Sequence, residues 1–172
     1  GLIEHYNYIA ERVNTPIILY NVPSRTGVNI LPETYAILAE NEKIVATKEA
    51  NGDISHVTKT VALCGDDLAI YSGNDDQATA IMAMGGKGVI SVLSNILPKE
   101  TVKICDEYFA GNTKESAELQ LKYLNLIDAL FCEVNPIPVK AATAAMGYGE
   151  NYLRLPLTPM DEAKKLNMFK LM

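Results

Sequence analysis

The sequence predicts an α/β fold built on a parallel sheet, and three observations carry that prediction. Between Pro16 and Val92, four short apolar runs rich in Ile, Val and Leu recur. Each is followed by turn residues or a polar group, as expected of a strand buried in a parallel sheet. Helical patterns separate the runs, and strands alternating with helices at this pitch pair in parallel through right-handed crossovers.

The runs are Pro16 to Tyr20, Ile44 to Lys48, Leu68 to Ser72 and Gly88 to Val92. After the first, Pro32 and Glu33 suit the opening turn of a helix, and Tyr35, Leu38 and Ala39 share a face before Asn41. After the second, Asp53 is placed as an N-cap, with Val57 and Val61 four apart. After the third, Asn74 or Asp75 caps a helix carrying Ala78, Ile81 and Met82, and Gly85 ends it. After the fourth, Pro98 opens a helix with Val102, Cys105 and Phe109 inward, closed by Gly111. Helices alone follow, expected over about Thr113 to Cys132, Pro138 to Met146 and Pro159 to Leu171, the last with Thr158 and Asp161 at capping-box spacing. Leu2 to Val13 also reads as helix, so the chain begins inside an alternating pattern. The expected organisation is strand–helix units over 1–111 and a helical extension over 112–172.

An eight-stranded α/β barrel usually needs about 200 to 250 residues, and the 172 here hold only four strand–helix units. Half a barrel and a four-stranded open sheet are both compatible with the element order.

Composition narrows the function. Apolar content of 48% with 21% charged residues is that of a globular protein. A net charge of −6 argues against nucleic-acid and anionic-membrane partners, which need clustered Lys and Arg. Cys64, Cys105 and Cys132 are scattered, without CxxC spacing, and read as reduced core-type thiols rather than disulfides or zinc ligands. No apolar stretch reaches membrane-spanning length and no signal pattern opens the chain, so the expected compartment is the cytoplasm and the expected partner a small molecule.

The site should lie at the carboxyl ends of the strands, where Tyr20, Lys48, Gly73 and Ile90 fall. A buried strand has little reason to end on an ammonium group, and the other eleven lysines lie mostly on predicted helices or in loops. Side chains alternate along a strand, so Glu49 points away from Lys48 and leaves it facing a ligand alone. A Schiff-base nucleophile must be a neutral amine, and an ordinary lysine is neutral in only about one part in 2,500 at pH 7. Bringing such an amine to pKa 7 or 8 takes roughly 3 to 4.5 kcal/mol, which a desolvated barrel mouth can supply. The Tyr20 phenol can pass a proton to or from a bound carbonyl or imine. Pro23 and Gly27 hold Arg25 on a short loop suited to capturing a carboxylate.

Tyr20-Asn-Val-Pro-Ser-Arg-Thr-Gly27, Lys48-Glu-Ala-Asn-Gly52, Ser72-Gly-Asn-Asp75, Gly88-Val-Ile-Ser91 and Asn135-Pro-Ile-Pro-Val-Lys140 together resemble the dihydrodipicolinate synthase family across nearly the whole chain. These are pyruvate-dependent class I aldolases, a group that also includes N-acetylneuraminate lyase. The resemblance implies the last four strand–helix units of a TIM barrel plus a carboxy-terminal helical extension, usually assembled as a tetramer. It implies that Lys48 forms the imine with pyruvate, with no separate cofactor and no metal, and that Tyr20 exchanges protons. It further implies that Arg25 holds the carboxylate of L-aspartate 4-semialdehyde, that Gly73 and Ile90 lay backbone against pyruvate, and that the product belongs to the lysine and diaminopimelate pathway. Arg25 and the Lys-Glu-Ala sequence favour the synthase over the neuraminate lyase. The family's Gly-Thr-Thr-Gly-Glu stretch has no counterpart here, so the chain is expected to be a fragment.

Other signals have plainer readings. Gly85-Gly-Lys-Gly88 lacks P-loop spacing and reads as a helix-to-strand turn. Asp66-Asp67 and Asp75-Asp76 suit a loop and a helix start, and His5 and His56 are too isolated for a metal site or triad. Two alternatives stand beside the synthase reading: a neuraminate-lyase-like aldolase, and a catalytically inactive half-barrel that serves association.

Overall fold

The computed structural model describes residues 1–172. Packing divides them into two compact units, Gly1–Ile90 and Ser91–Met172.

In the first unit, helix α1 (Leu2–Ala10) leads into strand β1 (Ile17–Asn21), followed by a one-turn helix α2 (Pro23–Thr26) and helix α3 (Pro32–Ala39). Strand β2 (Ile44–Glu49), helix α4 (Ile54–Cys64), strand β3 (Ala69–Ser72), helix α5 (Ala78–Ala83) and strand β4 (Gly88–Val89) complete it. The four strands are parallel in the order β1-β2-β3-β4. Pro32 begins α3 as expected, and the Asp53 side chain caps α4 by accepting from the Ser55 N–H at 2.8 Å. The sheet's covered face packs Leu19, Ile44 and Leu68 with Ala10, Tyr35 and Leu38, all at most 3% exposed. Each such aliphatic side chain contributes about 1.5 to 3 kcal/mol through burial. The Gly85–Gly88 segment is a helix-to-strand turn, Gly86 N–H donating to Ile81 O at 2.9 Å.

Strand ends differ from the expectation by small amounts with clear causes. β1 starts one residue later, since Pro16 has no N–H to donate, and runs on to Asn21, which pairs with Glu49. β4 stops at Val89 rather than Val92: Ile90 still donates to Ser72 O at 2.8 Å, but Val92 already has helical backbone angles.

The second unit holds helices α6 (Pro98–Phe109), α7 (Thr113–Lys122), α8 (Leu124–Leu130), α9 (Ile137–Ala145) and α10 (Glu162–Leu171). Its core gathers Leu93, Ile96, Leu126, Leu130, Ala142 and Met168. The packing division falls ahead of α6, whereas the expected organisation set its boundary after Gly111; α6 packs on α7, where Ser116 Oγ donates to Ile104 O at 2.6 Å.

Four expectations in this unit are corrected. The buried face of α6 is Thr101 and Ile104, while Val102 and Phe109 are each 57% exposed. Thr101 is able to turn inward because its hydroxyl donates to Leu97 O at 2.9 Å. The helix expected from Thr113 to Cys132 breaks at Tyr123, whose φ of −96° and ψ of 2° lie outside the α-helical range. The last helix begins at Glu162, with Asp161 itself as the N-cap accepting from Lys164 N–H at 3.0 Å, not at a Thr158 capping box. Of the cysteines, Cys64 is buried as expected but Cys132 is exposed. No helix is long and apolar enough to cross a membrane.

Candidate active site

The alternation of side chains along β1, β2 and β3 makes two different surfaces. Register pairs Tyr20 with Lys48 and Lys48 with Tyr71, so these three project from one face in a row. One residue on, Asn21, Glu49 and Ser72 form the next row on the opposite, helix-covered face.

On the open face Lys48 is a half-buried residue, and its amine sits 4.3 Å from the centre of the Tyr20 ring, over its π surface. Tyr20 itself is 42% exposed. Gly73 lies directly beside them: a Cβ built there would come within 2.6 Å of Ala50 Cβ and 3.2 Å of Lys48 Cε. Any larger residue would therefore push on the stem of the lysine, and the Gly73 N–H is meanwhile bonded to Glu49 O at 2.7 Å. Ile90 follows β4 at the same end of the sheet, its backbone held by Ser72. Arg25 lies on α2, a single turn rather than the expected loop, which starts at Pro23 and is capped by Gly27 with a φ of +70°; Arg25 is exposed. The structure thus gathers Tyr20, Lys48 and Gly73 in one place and sets Ile90 and Arg25 on the segments that leave β4 and β1.

Two features of this region escape sequence reasoning. Tyr71 is in register with Lys48, a placement that strand pairing alone reveals. Glu49, read only as pointing away from Lys48, is 3% exposed and saturated with donors. Asn21 Nδ2 donates to Oε1 and Oε2 at 2.9 and 3.0 Å, the Tyr35 hydroxyl to Oε2 at 3.0 Å, and the Asn51 N–H to Oε1 at 2.9 Å. Tyr35 accepts in turn from Thr47 Oγ1 at 3.0 Å. His56 donates through Nε2 to Ile30 O at 2.8 Å and brings Nδ1 to 3.7 Å from Glu49 Oε2. Burial, and then the Glu49 charge, hold the Tyr35 phenol well above the usual tyrosine range. The advance sign of this network was a pair of polar residues, Thr47 and Glu49, alternating on one side of a buried strand.

Comparison with known proteins follows the same lines. The Dihydrodipicolinate synthetase family model matches residues 1–172. The 4-hydroxy-tetrahydrodipicolinate synthase of Alkaliphilus oremlandii is 56% identical over 165 residues, covering 96% of this chain and 57% of that protein. The synthase of Clostridium perfringens is 55% identical over 163 residues, with 95% and 56% covered. Among solved structures, the Thermotoga maritima dihydrodipicolinate synthase superposes with a TM-score of 0.96 at 49% identity, over 99% of this chain and 59% of that one. The chloride-inhibited synthase of Acinetobacter baumannii, complexed with pyruvate, gives 0.95 at 42% identity, again over 99% and 59%. The chain spans somewhat over half the length of the relatives it matches, in agreement with a partial TIM barrel plus carboxy-terminal helices rather than an open sheet. It belongs to the dihydrodipicolinate synthetase family.

Proposed function

We propose that the chain carries the imine-forming part of a 4-hydroxy-tetrahydrodipicolinate synthase, which condenses pyruvate with L-aspartate 4-semialdehyde in lysine biosynthesis. The single observation that carries the reading is the amine of the half-buried Lys48 at a strand end, lying over the Tyr20 ring with Gly73 making room for its stem. The names of the relatives and the pyruvate complex of the Acinetobacter protein support the choice of substrates.

In this reading the Lys48 amine adds to the keto carbon of pyruvate and water leaves, forming an imine that serves as the electron sink without any separate cofactor. Loss of a methyl proton gives an enamine, whose carbon bonds to the aldehyde carbon of the semialdehyde while the aldehyde oxygen takes up a proton. Attack of the semialdehyde's amino group on the imine carbon closes the ring and expels Lys48, leaving the hydroxy-tetrahydrodipicolinate. Tyr20 carries the protons, Arg25 on its loop engages the semialdehyde carboxylate, and backbone at Gly73 and Ile90 lines the pyruvate pocket. Assembly as a homotetramer in the cytoplasm belongs to the same proposal by family likeness.

The test is incubation with pyruvate and borohydride, followed by peptide mass mapping, on the chain alone and with the amino-terminal part of a relative supplied in trans. A reduced adduct on Lys48 in either preparation is the expected result. No adduct in both, or an adduct on another lysine, overturns the proposal. Consumption of aspartate semialdehyde in preference to sialic acid separates the synthase from a neuraminate lyase.

A further inference from the structure

We infer that Glu49 is a positioning residue for this site: from the covered face of the sheet its carboxylate clamps β1 to β2 one residue beyond the Tyr20–Lys48 pair and so sets phenol and amine against each other. The inference rests on the imine reading of Lys48 given above.

The geometry is specific to that place. Asn21 directly follows Tyr20, Glu49 directly follows Lys48, and the Asn21 amide joins both carboxylate oxygens across the strands. Tyr20 and Lys48 each stand one residue back on the other face; the backbone ladder, with Ala50 N–H donating to Asn21 O at 2.9 Å, sets the strand spacing, and the side-chain bond beside it restrains how the two strands turn against each other. The same Asn21 side chain reaches the far end of the Arg25 loop. Its Nδ2 donates to Asn29 Oδ1 at 2.8 Å, and its Oδ1 accepts from Ile30 N–H at 3.1 Å. His56 holds Ile30 from the other side through its carbonyl. One buried carboxylate therefore ties together the strand bearing the amine, the strand bearing the phenol and the segment that closes the arginine loop.

Stability alone does not account for such an arrangement. Replacing buried ionic clusters by well-packed apolar side chains is often neutral or stabilising. The preceding row of the same face, Leu19, Thr47 and Ile70, is mostly apolar and equally well covered. What the polar network adds is direction: Thr47 donates to Tyr35, Tyr35 to Glu49, and Asn21 to Glu49, a set of donors and acceptors with one satisfied arrangement. A single arrangement gives the two reacting groups on the open face a single spacing.

The experiment compares wild type, Glu49→Gln, Tyr35→Phe and the donor–acceptor exchange that combines Asn21→Asp with Glu49→Gln, all assayed for borohydride-trapped pyruvate on Lys48. Rates are taken against pyruvate concentration and corrected for the folded fraction. Glu49→Gln is expected to lower the limiting trapping rate at least about tenfold, with a smaller change in the half-saturating pyruvate concentration, because alignment rather than binding is lost. In the exchange double variant the amide introduced on β2 donates to the carboxylate introduced on β1, so the clamp is rebuilt with its polarity reversed. That variant is expected to recover most of the rate. Tyr35→Phe, which deletes one donor and keeps the clamp, is expected to fall between Glu49→Gln and wild type. A wild-type rate per folded molecule in Glu49→Gln overturns the inference, as does failure of the exchange variant to improve on it. Should Glu49→Gln fail to fold, an Asn21→Ala protein, which lacks the amide that donates to Glu49, overturns it equally if it is folded and fully active. Absence of trapping in wild type, both alone and with the amino-terminal part of a relative supplied, refutes the imine reading instead, and the inference with it.

Discussion

The two faces of the sheet are made by the same strands from adjacent residues, yet they are finished in opposite ways. On the covered face Glu49 and Asn21 are nearly inaccessible and their polar atoms are bonded. On the other face Lys48 and Tyr20 touch through a cation and a ring, Tyr20 is 42% exposed, and Ile18 is 52% exposed. A residue that is fully satisfied internally is held in one place and has nothing left to offer a ligand. A residue left partly unsatisfied is available for chemistry but depends on its neighbours for position. The contrast divides labour between the faces: the closed one sets geometry, and the open one reacts.

The largest break in this comparison comes from Lys48→Arg. The variant keeps the charge but cannot form an imine, so borohydride trapping of pyruvate is expected to vanish while the circular dichroism spectrum is retained. On the closed face, Glu49→Ala removes the shared acceptor of Asn21, Tyr35 and Asn51. Stranding those donors in the interior is expected to cost about 3 to 5 kcal/mol in urea unfolding, monitored on the sheet-bearing unit.

A subtler effect comes from pH. The Tyr35 phenol is raised above its ordinary value by burial and by the Glu49 charge, so above about pH 10 the unfolded chain loses a proton that the folded protein keeps. Its contribution is fully present below that pH and declines as pH rises further, by at most about 1.4 kcal/mol per pH unit. Unfolding free energies measured from pH 9 to 11.5 should show this slope, and Tyr35→Phe should show less of it. The smallest effect is expected of Ile18→Ser on the open face, within about 1 kcal/mol, because a half-exposed side chain has little burial to lose. A loss as large as that of Glu49→Ala would erase the distinction between the faces.

Much of this was legible in the chain. Pro32 and Asp53 open their helices as their local chemistry requires, and the apolar runs lie within a residue of their strands except at β4. Lys48 stood out because an ammonium group at the end of an apolar strand conflicts with burial. What stayed hidden depended on partners distant in sequence. The inward face of α6 was misread because Thr101 and Ile104 versus Val102 and Phe109 differ little in pattern, and packing against α7 selects between them. The break at Tyr123 carries no Gly or Pro to announce it.

The amino-acid sequence by itself determined the alternation of strands and helices, the starts of α3, α4 and α6 and the strand-end position of the amine. Each of these follows from side-chain periodicity and backbone preferences acting over a few residues. By contrast, α5 starts at Ala78 without the expected Asn74 or Asp75 cap and α10 starts three residues late. Only the tertiary structure decided that Tyr20, Lys48 and Tyr71 share a row, that Gly73 must leave room for a lysine stem, and that Glu49 is the acceptor on which Asn21, 28 positions away, and Tyr35 converge. Such relations exist only once parallel register is set, because hydrogen bonds and close contacts depend on separations in space that no local pattern encodes.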